Sequence, residues 1–270
     1  MPKGILGGTP AYWRAEGQGS RRALLLHCTF GHSGAWKELM SRLAPDLDML
    51  AMDLPAHGRS GPRDFSRSWQ SQSVAMAKDL AEQGAAPVDL IGHSFGATVA
   101  LRLATENPSL VRSLTLIEPV FFSAARDAGD PSYEAHMKDH GTFYDLLVAG
   151  DYEGAARGFS EMWGGPISWA DQDDAQRQYM IERIELIRDS GNTALGVGED
   201  YVPLERLGRL DIPVLLIEGA NTQPIISAVQ RVLQETFSNA TRVVVPGAAH
   251  MVPITHARAV EDALRPFMGL

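Results

Sequence analysis

Short runs of consecutive apolar residues alternate with longer stretches of helical periodicity along most of the chain. Six such runs, each bounded by turn-forming residues, predict buried strands at residues 23–27, 48–53, 88–92, 114–118, 213–218 and 242–245. Helices are predicted beside them at residues 36–43, 68–83, 95–106, 225–237 and 257–267. Because uninterrupted apolar strands suit a parallel sheet covered on both faces, the alternation predicts an α/β fold with a doubly wound, mostly parallel sheet.

One long segment departs from this alternation. Residues 119–211 carry helical patterns at 133–149, 152–162 and 172–188 but no convincing strand. The segment is therefore predicted to be a helical cap inserted between two core strands. We expect residues 1–118 and 212–270 to form the α/β core and residues 119–211 to form the cap.

The charge is unevenly distributed between these two parts. The chain has a net charge of −9, yet residues 121–201 hold 16 acidic and 6 basic residues, a net of −10, and the rest is close to neutral. The same 81 residues hold 11 of the 20 aromatic side chains. A helical lid with charge outward and aromatic surface toward a pocket fits this pattern, although bulky residues also fill a small helical core. We expect anionic substrates to be disfavoured.

Composition also excludes several classes of protein. An acidic chain without a dense basic run is a poor nucleic-acid binder. Cys28 is the single cysteine, so no internal disulfide can form. The first residues lack the apolar stretch of a signal peptide, and no apolar run approaches the length of a membrane span. These features predict a cytoplasmic protein without a membrane span, and they leave the oligomeric state undetermined.

The clearest chemical motif is Gly92-His93-Ser94-Phe95-Gly96, which matches G-x-S-x-G. A predicted strand precedes it and a predicted helix follows it, which is the context that exposes a serine hydroxyl at a tight strand-to-helix turn. A serine is a weak nucleophile until a base accepts its proton. His250, just after the last predicted strand, stands in the position expected of that base.

These motifs together resemble the α/β-hydrolase superfamily, in particular its cofactor-free, esterase-like members with a helical cap. The resemblance spans about residues 10–268 and is carried by residues 26–31, 53–60, 92–96 and 247–250. It implies an oxyanion hole made by the backbone N–H groups of Thr29 and Phe95. The family usually has His-Gly-x where this chain has His27-Cys28-Thr29, and Cys28 is expected to be a small buried residue rather than a reactive thiol.

The acid of the triad is where the chain departs from its relatives. They commonly place an aspartate three residues beyond the glycine that here is Gly219, and Thr222 occupies that position. Glu118 is the expected acid, because a carboxylate closing an apolar strand is costly to bury without a partner. Three alternatives stay open: Glu118 as a structural pair at the cap entrance, a dyad supported by Asn221 or Thr222, or another carboxylate such as Asp200.

The remaining histidines carry weaker signals. His136 and His140 have a metal-compatible i, i+4 spacing, but without further ligands nearby they are expected to be solvated cap residues, and no metal site is predicted. His57 and Arg59 are expected to be structural, and His93 to pack within the turn. The phosphate-binding loop and the dinucleotide fingerprint are both missing from the sequence, so no cofactor is expected.

The function predicted from these residues is a serine hydrolase that cleaves a small or medium, neutral carboxylic ester through an acyl-enzyme. Ser94 would be the nucleophile, His250 the base and Glu118 the residue that orients it. The expected partner is then a small-molecule ester, with no nucleic-acid partner and no membrane span. Alternatives are a C–C bond, thioester or lactone hydrolase using the same triad, or a non-catalytic ligand-binding protein of this fold.

Overall fold

A single twisted sheet organises the molecule in the computed structural model, which describes residues 3–84, 87–164 and 167–270. The predicted domain ranges also include residues 1–2, 85–86 and 165–166, which lie outside this description. The sheet has the strand order β1-β2-β4-β3-β5-β6-β7-β8, with strands β1 (Lys3–Leu6), β2 (Thr9–Glu16), β3 (Arg21–Leu26), β4 (Leu47–Met52), β5 (Val88–His93), β6 (Val111–Ile117), β7 (Val214–Gly219) and β8 (Ala240–Val245).

Strands β3 to β8 run parallel, whereas β1 and β2 join one edge in antiparallel pairing. All six predicted strands are present, with ends that differ by up to three residues, so the predicted mostly parallel α/β sheet is confirmed. The sequence prediction missed β1 and β2. Strand β2 contains Pro10 and Arg14 and is not a continuous apolar run, although the Gly7-Gly8 turn before it is a hairpin signal.

Helices cover both faces of the sheet, as a doubly wound fold requires. One face carries α1 (Lys37–Leu43), the short α11 (Val252–Thr255) and α12 (Ala257–Met268), and the other carries α2 (Trp69–Glu82), α3 (Phe95–Glu106) and α10 (Pro224–Thr236). Side chains alternate along a strand, so Leu24 and Leu26 of β3 pack on the face covered by α2, α3 and α10. Ala23 and Leu25 pack on the face covered by α1, α11 and α12. The sheet is thus buried on both faces and holds its strand ends in fixed positions.

Between β6 and β7 the described residues contain helices and no strand. These helices are α4 (Phe122–Asp127), α5 (Pro131–Ala149), α6 (Tyr152–Trp163), α7 (Asp174–Ile181), α8 (Leu186–Ala194) and α9 (Leu204–Leu207). The single helix predicted over residues 172–188 is in fact split into α7 and α8. A separate apolar cluster, which includes Phe143, Ala155 and Ile187, gives this helical segment a core of its own. No helix in the described parts of the chain combines the length and the apolar character needed to cross a membrane.

Candidate active site

Ser94 lies at the sharp turn between β5 and α3. Its backbone has φ 55° and ψ −117°, a conformation that non-glycine residues rarely adopt. Both motif glycines permit this turn by close approach: a Cβ on Gly92 would lie 2.5 Å from the Cα of Ala97, and one on Gly96 would lie 2.2 Å from the carbonyl oxygen of Leu26. The local strain and the two close contacts hold the serine at the carboxyl end of the sheet.

A chain of hydrogen bonds joins the three residues expected to form the triad. Ser94 Oγ lies 3.0 Å from His250 Nε2, and His250 Nδ1 lies 3.0 Å from Glu118 Oε2. All three side chains are buried. Because the carboxylate can only accept, the imidazole donates from Nδ1, which leaves Nε2 free to accept the serine proton. The residues predicted from three distant parts of the sequence therefore meet with the polarity that nucleophile activation needs.

Glu118 is held rigidly under the imidazole. Its side chain is 0% exposed, its Oε1 accepts the N–H of Gly219 at 2.7 Å, and its Oε2 accepts the Thr222 hydroxyl in addition to the imidazole. The backbone of Glu118 is also in the left-handed region, with φ 50°. Thr222, which occupies the position of the usual aspartate, therefore donates a hydrogen bond to the carboxylate of Glu118.

The other residues predicted to support His250 make no hydrogen bond to its imidazole. Asp200 is buried against Arg102 at 2.8 Å and accepts the hydroxyl of Thr193 at 2.8 Å. Asn221 is exposed, and its backbone N–H donates to the carbonyl of Ala248 at 2.8 Å. Of the candidates, Glu118 is the one that the structure brings into contact with His250.

His93 packs inside the turn, as predicted, and holds the loop that carries His250. Its Nε2 donates to the carbonyl oxygen of His250 at 2.8 Å. Burial, followed by the nearby imidazole of His250, lowers the pKa of His93 to about 3. The ring therefore stays neutral near neutral pH and serves as a fixed donor.

Two further buried histidines shape the loop that contains Thr29. His27 donates from Nδ1 to the carbonyl of Cys28 at 2.7 Å and accepts the N–H of Leu54 at 2.9 Å. His57 accepts the N–H of Phe30 at 3.0 Å and donates from Nδ1 to the carbonyl of Pro55 at 2.9 Å. Burial lowers the pKa of His27 to about 4 and that of His57 to about 3. His57 thus has the structural position expected of it, whereas the bracing role of His27 was not foreseen.

The neighbouring loop is held in a similar way. Asp53 is buried and accepts the backbone N–H of Ser33 at 2.6 Å and that of Arg59 at 2.9 Å. The backbone of Arg59 is therefore part of a structural turn, as predicted. The consequence is a rigid support on one side of Thr29.

Cys28 lies within the Thr29 loop and is buried. Burial raises the pKa of its thiol to about 12, so the thiolate is scarce at neutral pH. This agrees with the expectation of a small buried residue rather than a reactive thiol.

Two chambers meet at Ser94, and both are lined by Thr29, Ser94, Phe159, Trp163 and His250. The inner chamber is walled further by α5 and α8. The outer chamber is walled further by residues 30–35, α6, α7 and α11. The lining residues described for the two chambers include no aspartate, glutamate, lysine or arginine. Ser94 therefore borders, on both sides, space whose described walls carry no carboxylate, lysine or arginine.

The expectation that His136 and His140 are solvated is wrong. They are 8% and 7% exposed and both line the inner chamber. Burial lowers the pKa of His136 to about 3 and that of His140 to about 4. Sequence reasoning placed them on a helix but could not tell which face of α5 turns inward. Across the described residues, no group of three or more histidine, cysteine or acidic side chains is arranged to hold a metal ion.

A mostly parallel sheet with helices on both faces, and a serine at a strained turn beside a histidine and a carboxylate, defines the class of α/β hydrolases. A family model described as "Alpha/beta hydrolase family" matches residues 23–263, and the chain belongs to that family. The resemblance drawn from the sequence motifs is thereby confirmed.

Curated relatives include enzymes named as esterases. The chain is 25% identical to the "Pimeloyl-[acyl-carrier protein] methyl ester esterase" of Pectobacterium carotovorum, over 95% of this chain and 97% of that protein. It is 31% identical to the "Dihydrolipoyllysine-residue acetyltransferase component of acetoin cleaving system" of Cupriavidus necator, over 94% of this chain. The match covers 65% of that longer relative's length.

Solved structures share the fold at low identity. An α/β hydrolase from Sphaerobacter thermophilus superimposes with a TM-score of 0.74 and 21% identity, covering 99% of this chain and 100% of that one. At this level of identity the likeness establishes the fold and nothing finer.

Proposed function

We propose that the protein is a serine hydrolase that cleaves a small or medium, neutral carboxylic ester through an acyl-enzyme. The observation that carries the proposal is the hydrogen-bonded chain from Ser94 through His250 to Glu118, opening on two uncharged chambers. The esterase names among the curated relatives support an ester substrate. Fold alone would not, since this fold hosts many reactions.

The reaction begins when Ser94 Oγ attacks the ester carbonyl carbon and its proton passes to His250 Nε2. The resulting imidazolium is stabilised by Glu118, which accepts its Nδ1–H. As the tetrahedral intermediate collapses, the C–O bond to the alcohol breaks, and His250 returns the proton to that alcohol. A water molecule then attacks the acyl-enzyme, giving its proton to His250, and the acid leaves as Ser94 regains the proton.

The oxyanion that forms in both steps would be stabilised by the backbone N–H groups of Phe95 and Thr29. Phe95 is the first residue of α3, where N–H groups have no acceptor within the helix and carry the positive end of the helix dipole. Thr29 lies beside Ser94 in both chambers, on the loop braced by His27 and His57. Each such donor contributes about 3 kcal/mol to transition-state stabilisation.

The helical segment 119–211 would act as the cap of this site. Phe159 and Trp163 of α6 line both chambers, and His140 of α5 and Gly191 of α8 line the inner one. Aromatic side chains, among them Phe122, Tyr144 and Trp163, line the inner chamber and limit its width. The cap would therefore limit the group on the inner side to a small or medium size and exclude bulk water from the acyl-enzyme.

The proposal is tested with Ser94→Ala in an assay of p-nitrophenyl esters, combined with labelling by a fluorophosphonate probe. Wild type should turn over at least one ester and become labelled at Ser94, and the variant should do neither. Ser41→Ala is the matched control, because Ser41 is exposed on α1, away from both chambers. Near-normal turnover by Ser94→Ala would refute the proposal, and an unlabelled, inactive wild type would favour a non-catalytic binder.

A further inference from the structure

Two neighbouring imidazoles, whose planes are tilted by 60° to each other, line the inner chamber among apolar and aromatic side chains. His136 and His140 lie one helical turn apart on α5, and their ring centroids are 4.2 Å apart. Both are more than nine-tenths buried. Neither contacts Ser94 or Glu118 through a hydrogen bond, so the triad does not account for them.

His140 is the unusual member of the pair. Both of its ring nitrogens are buried and have no hydrogen-bond partner among the described residues, although the side chain lines the chamber. Buried polar groups in folded proteins are almost always hydrogen-bonded, because an unmet donor or acceptor costs free energy. A side chain in this state, on the wall of a cavity, points to a ligand that supplies the missing partner once the neighbouring side chains shift to admit it.

The surroundings restrict the chemistry of that partner. The described residues that line the inner chamber include no lysine, arginine or carboxylate that could pair with an ionic group. The charged neighbours on α5, Lys138 and Asp139, are exposed on its outer face. The pKa of His140, about 4, keeps the ring neutral at pH 7, with one donor and one acceptor. A neutral ring supplies no positive charge to offset the burial of a carboxylate in this chamber.

The position of His140 relates it to the reacting bond. The indole of Trp163 lies 4.8 Å from the ring of His250 and 6.2 Å from the ring of His140, measured between centroids. A substrate chain that follows this indole from Ser94 therefore ends beside His140. The group that His140 meets is remote from the ester but on the same molecule.

We propose that His140, whose ring lies beside that of His136, is a specificity-determining residue that hydrogen-bonds an uncharged oxygen, a hydroxyl or a ketone, on the part of the ester in the inner chamber. This inference rests on the proposed function and narrows its substrate class. The preferred esters would be oxygenated at a position remote from the ester bond rather than purely hydrocarbon.

The test uses p-nitrophenyl esters in which one hydroxyl or keto group is moved along the acyl chain, each compared with the unsubstituted ester of equal length. A parallel series places the same groups on the alcohol side of alkyl esters. Hydrolysis of these esters is measured by the acid that is released. At one position, wild type should prefer the oxygenated ester by about tenfold or more in kcat/KM, equivalent to about 1.4 kcal/mol. The preference should vanish in His140→Phe and persist in part in His140→Asn, which retains a donor and an acceptor.

The control is His256→Phe, because His256 lies outside both chambers and the chemical change is the same. The ratio between two esters is measured on one protein sample, so a partly unfolded variant does not distort it. A wild-type ratio near one at every position would overturn the inference while leaving the proposed function intact. A preference that survives in His140→Phe, or a stronger preference for a carboxylate-bearing ester, would also overturn it. If wild type cleaves no ester and takes no fluorophosphonate label, the proposed function fails and the inference fails with it.

Discussion

Replacing Glu118 by glutamine changes the direction of the hydrogen bonds around His250. In the native site Glu118 accepts three donors, from Gly219 N–H, Thr222 Oγ–H and His250 Nδ1–H. A backbone N–H can only donate, so the amide oxygen of glutamine will face Gly219, and its NH₂ group will face Thr222 and His250. The Thr222 hydroxyl can rotate to accept, but Nδ1 must then lose its proton. The imidazole proton moves to Nε2, where it can no longer accept the proton of Ser94.

The expected loss follows from this tautomer change. A carboxylate-to-amide substitution that inverts the tautomer in a serine protease lowers kcat by about 10⁴-fold. We expect Glu118→Gln to lower kcat by about 10³- to 10⁴-fold, or about 4 to 5.5 kcal/mol in the barrier. Thr222→Ala removes one of three donors and leaves the Nδ1–H bond in place, so its effect should stay within about tenfold.

The assay is steady-state hydrolysis of the best p-nitrophenyl ester, with circular dichroism melting to confirm that each variant is folded. Labelling by the fluorophosphonate should slow in parallel with kcat, because both need an activated Ser94. If Glu118→Gln stays within tenfold of wild type while Thr222→Ala or Asn221→Ala loses activity, the reasoning is refuted and the acid function lies elsewhere.

Three other outcomes are expected. Gly96→Ala should lower the melting temperature and the activity, because its Cβ would lie 2.2 Å from a carbonyl oxygen. Gly158→Ala, in open space on α6, should instead stabilise the fold by about 0.5–1 kcal/mol. Equal melting temperatures for the two variants would contradict this. The folded-state pKa values of His27 and His57, about 4 and 3, lie below the ordinary 6.5, so the unfolded chain binds protons first on acidification. As the pH is lowered from 6.5 to 4, the unfolding free energy measured in urea should fall by up to about 1.4 kcal/mol per pH unit for each ring. In His57→Gln the fall should be shallower, and a slope equal to that of wild type would contradict the expectation. Cys28 should react with a thiol reagent only after denaturation, and rapid native labelling would show that its loop opens.

The site residues that could be predicted from the sequence are those marked by a local sequence pattern. A strand, a tight G-x-S-x-G turn and a helix locate Ser94, since few other local structures suit that spacing. Glu118 is predictable because a carboxylate that closes an apolar strand needs a partner, and the structure supplies three donors to it. The first inference uses the strain of a tight turn, and the second uses the free-energy cost of burying a charge. Both can be recognised from neighbouring residues in one sequence.

The features that were missed depend on tertiary contacts. Strand β2 has exposed positions and a proline, so its pairing with β4 comes from the hairpin and the sheet edge rather than from its own pattern. His136 and His140 have the same spacing whether α5 turns them toward solvent or toward Ser94. Packing against Trp163 and Phe122, which lie on other helices, sets the inward orientation of the two histidines.

The concentration of negative charge in residues 121–201 has a local explanation in helix formation. Asp130, Asp151 and Asp173 cap the N-termini of α5, α6 and α7, and each accepts a backbone N–H of the following turn. Acidic residues in these first turns also interact favourably with the helix dipoles. Since neither chamber has an acidic lining residue in the described chain, these carboxylates act on a bound substrate only at a distance and through screening salt. We therefore expect any discrimination against anionic esters to come from the chamber lining, which has no lysine or arginine, and from the neutral rings of His136 and His140, rather than from the net charge of the helical segment.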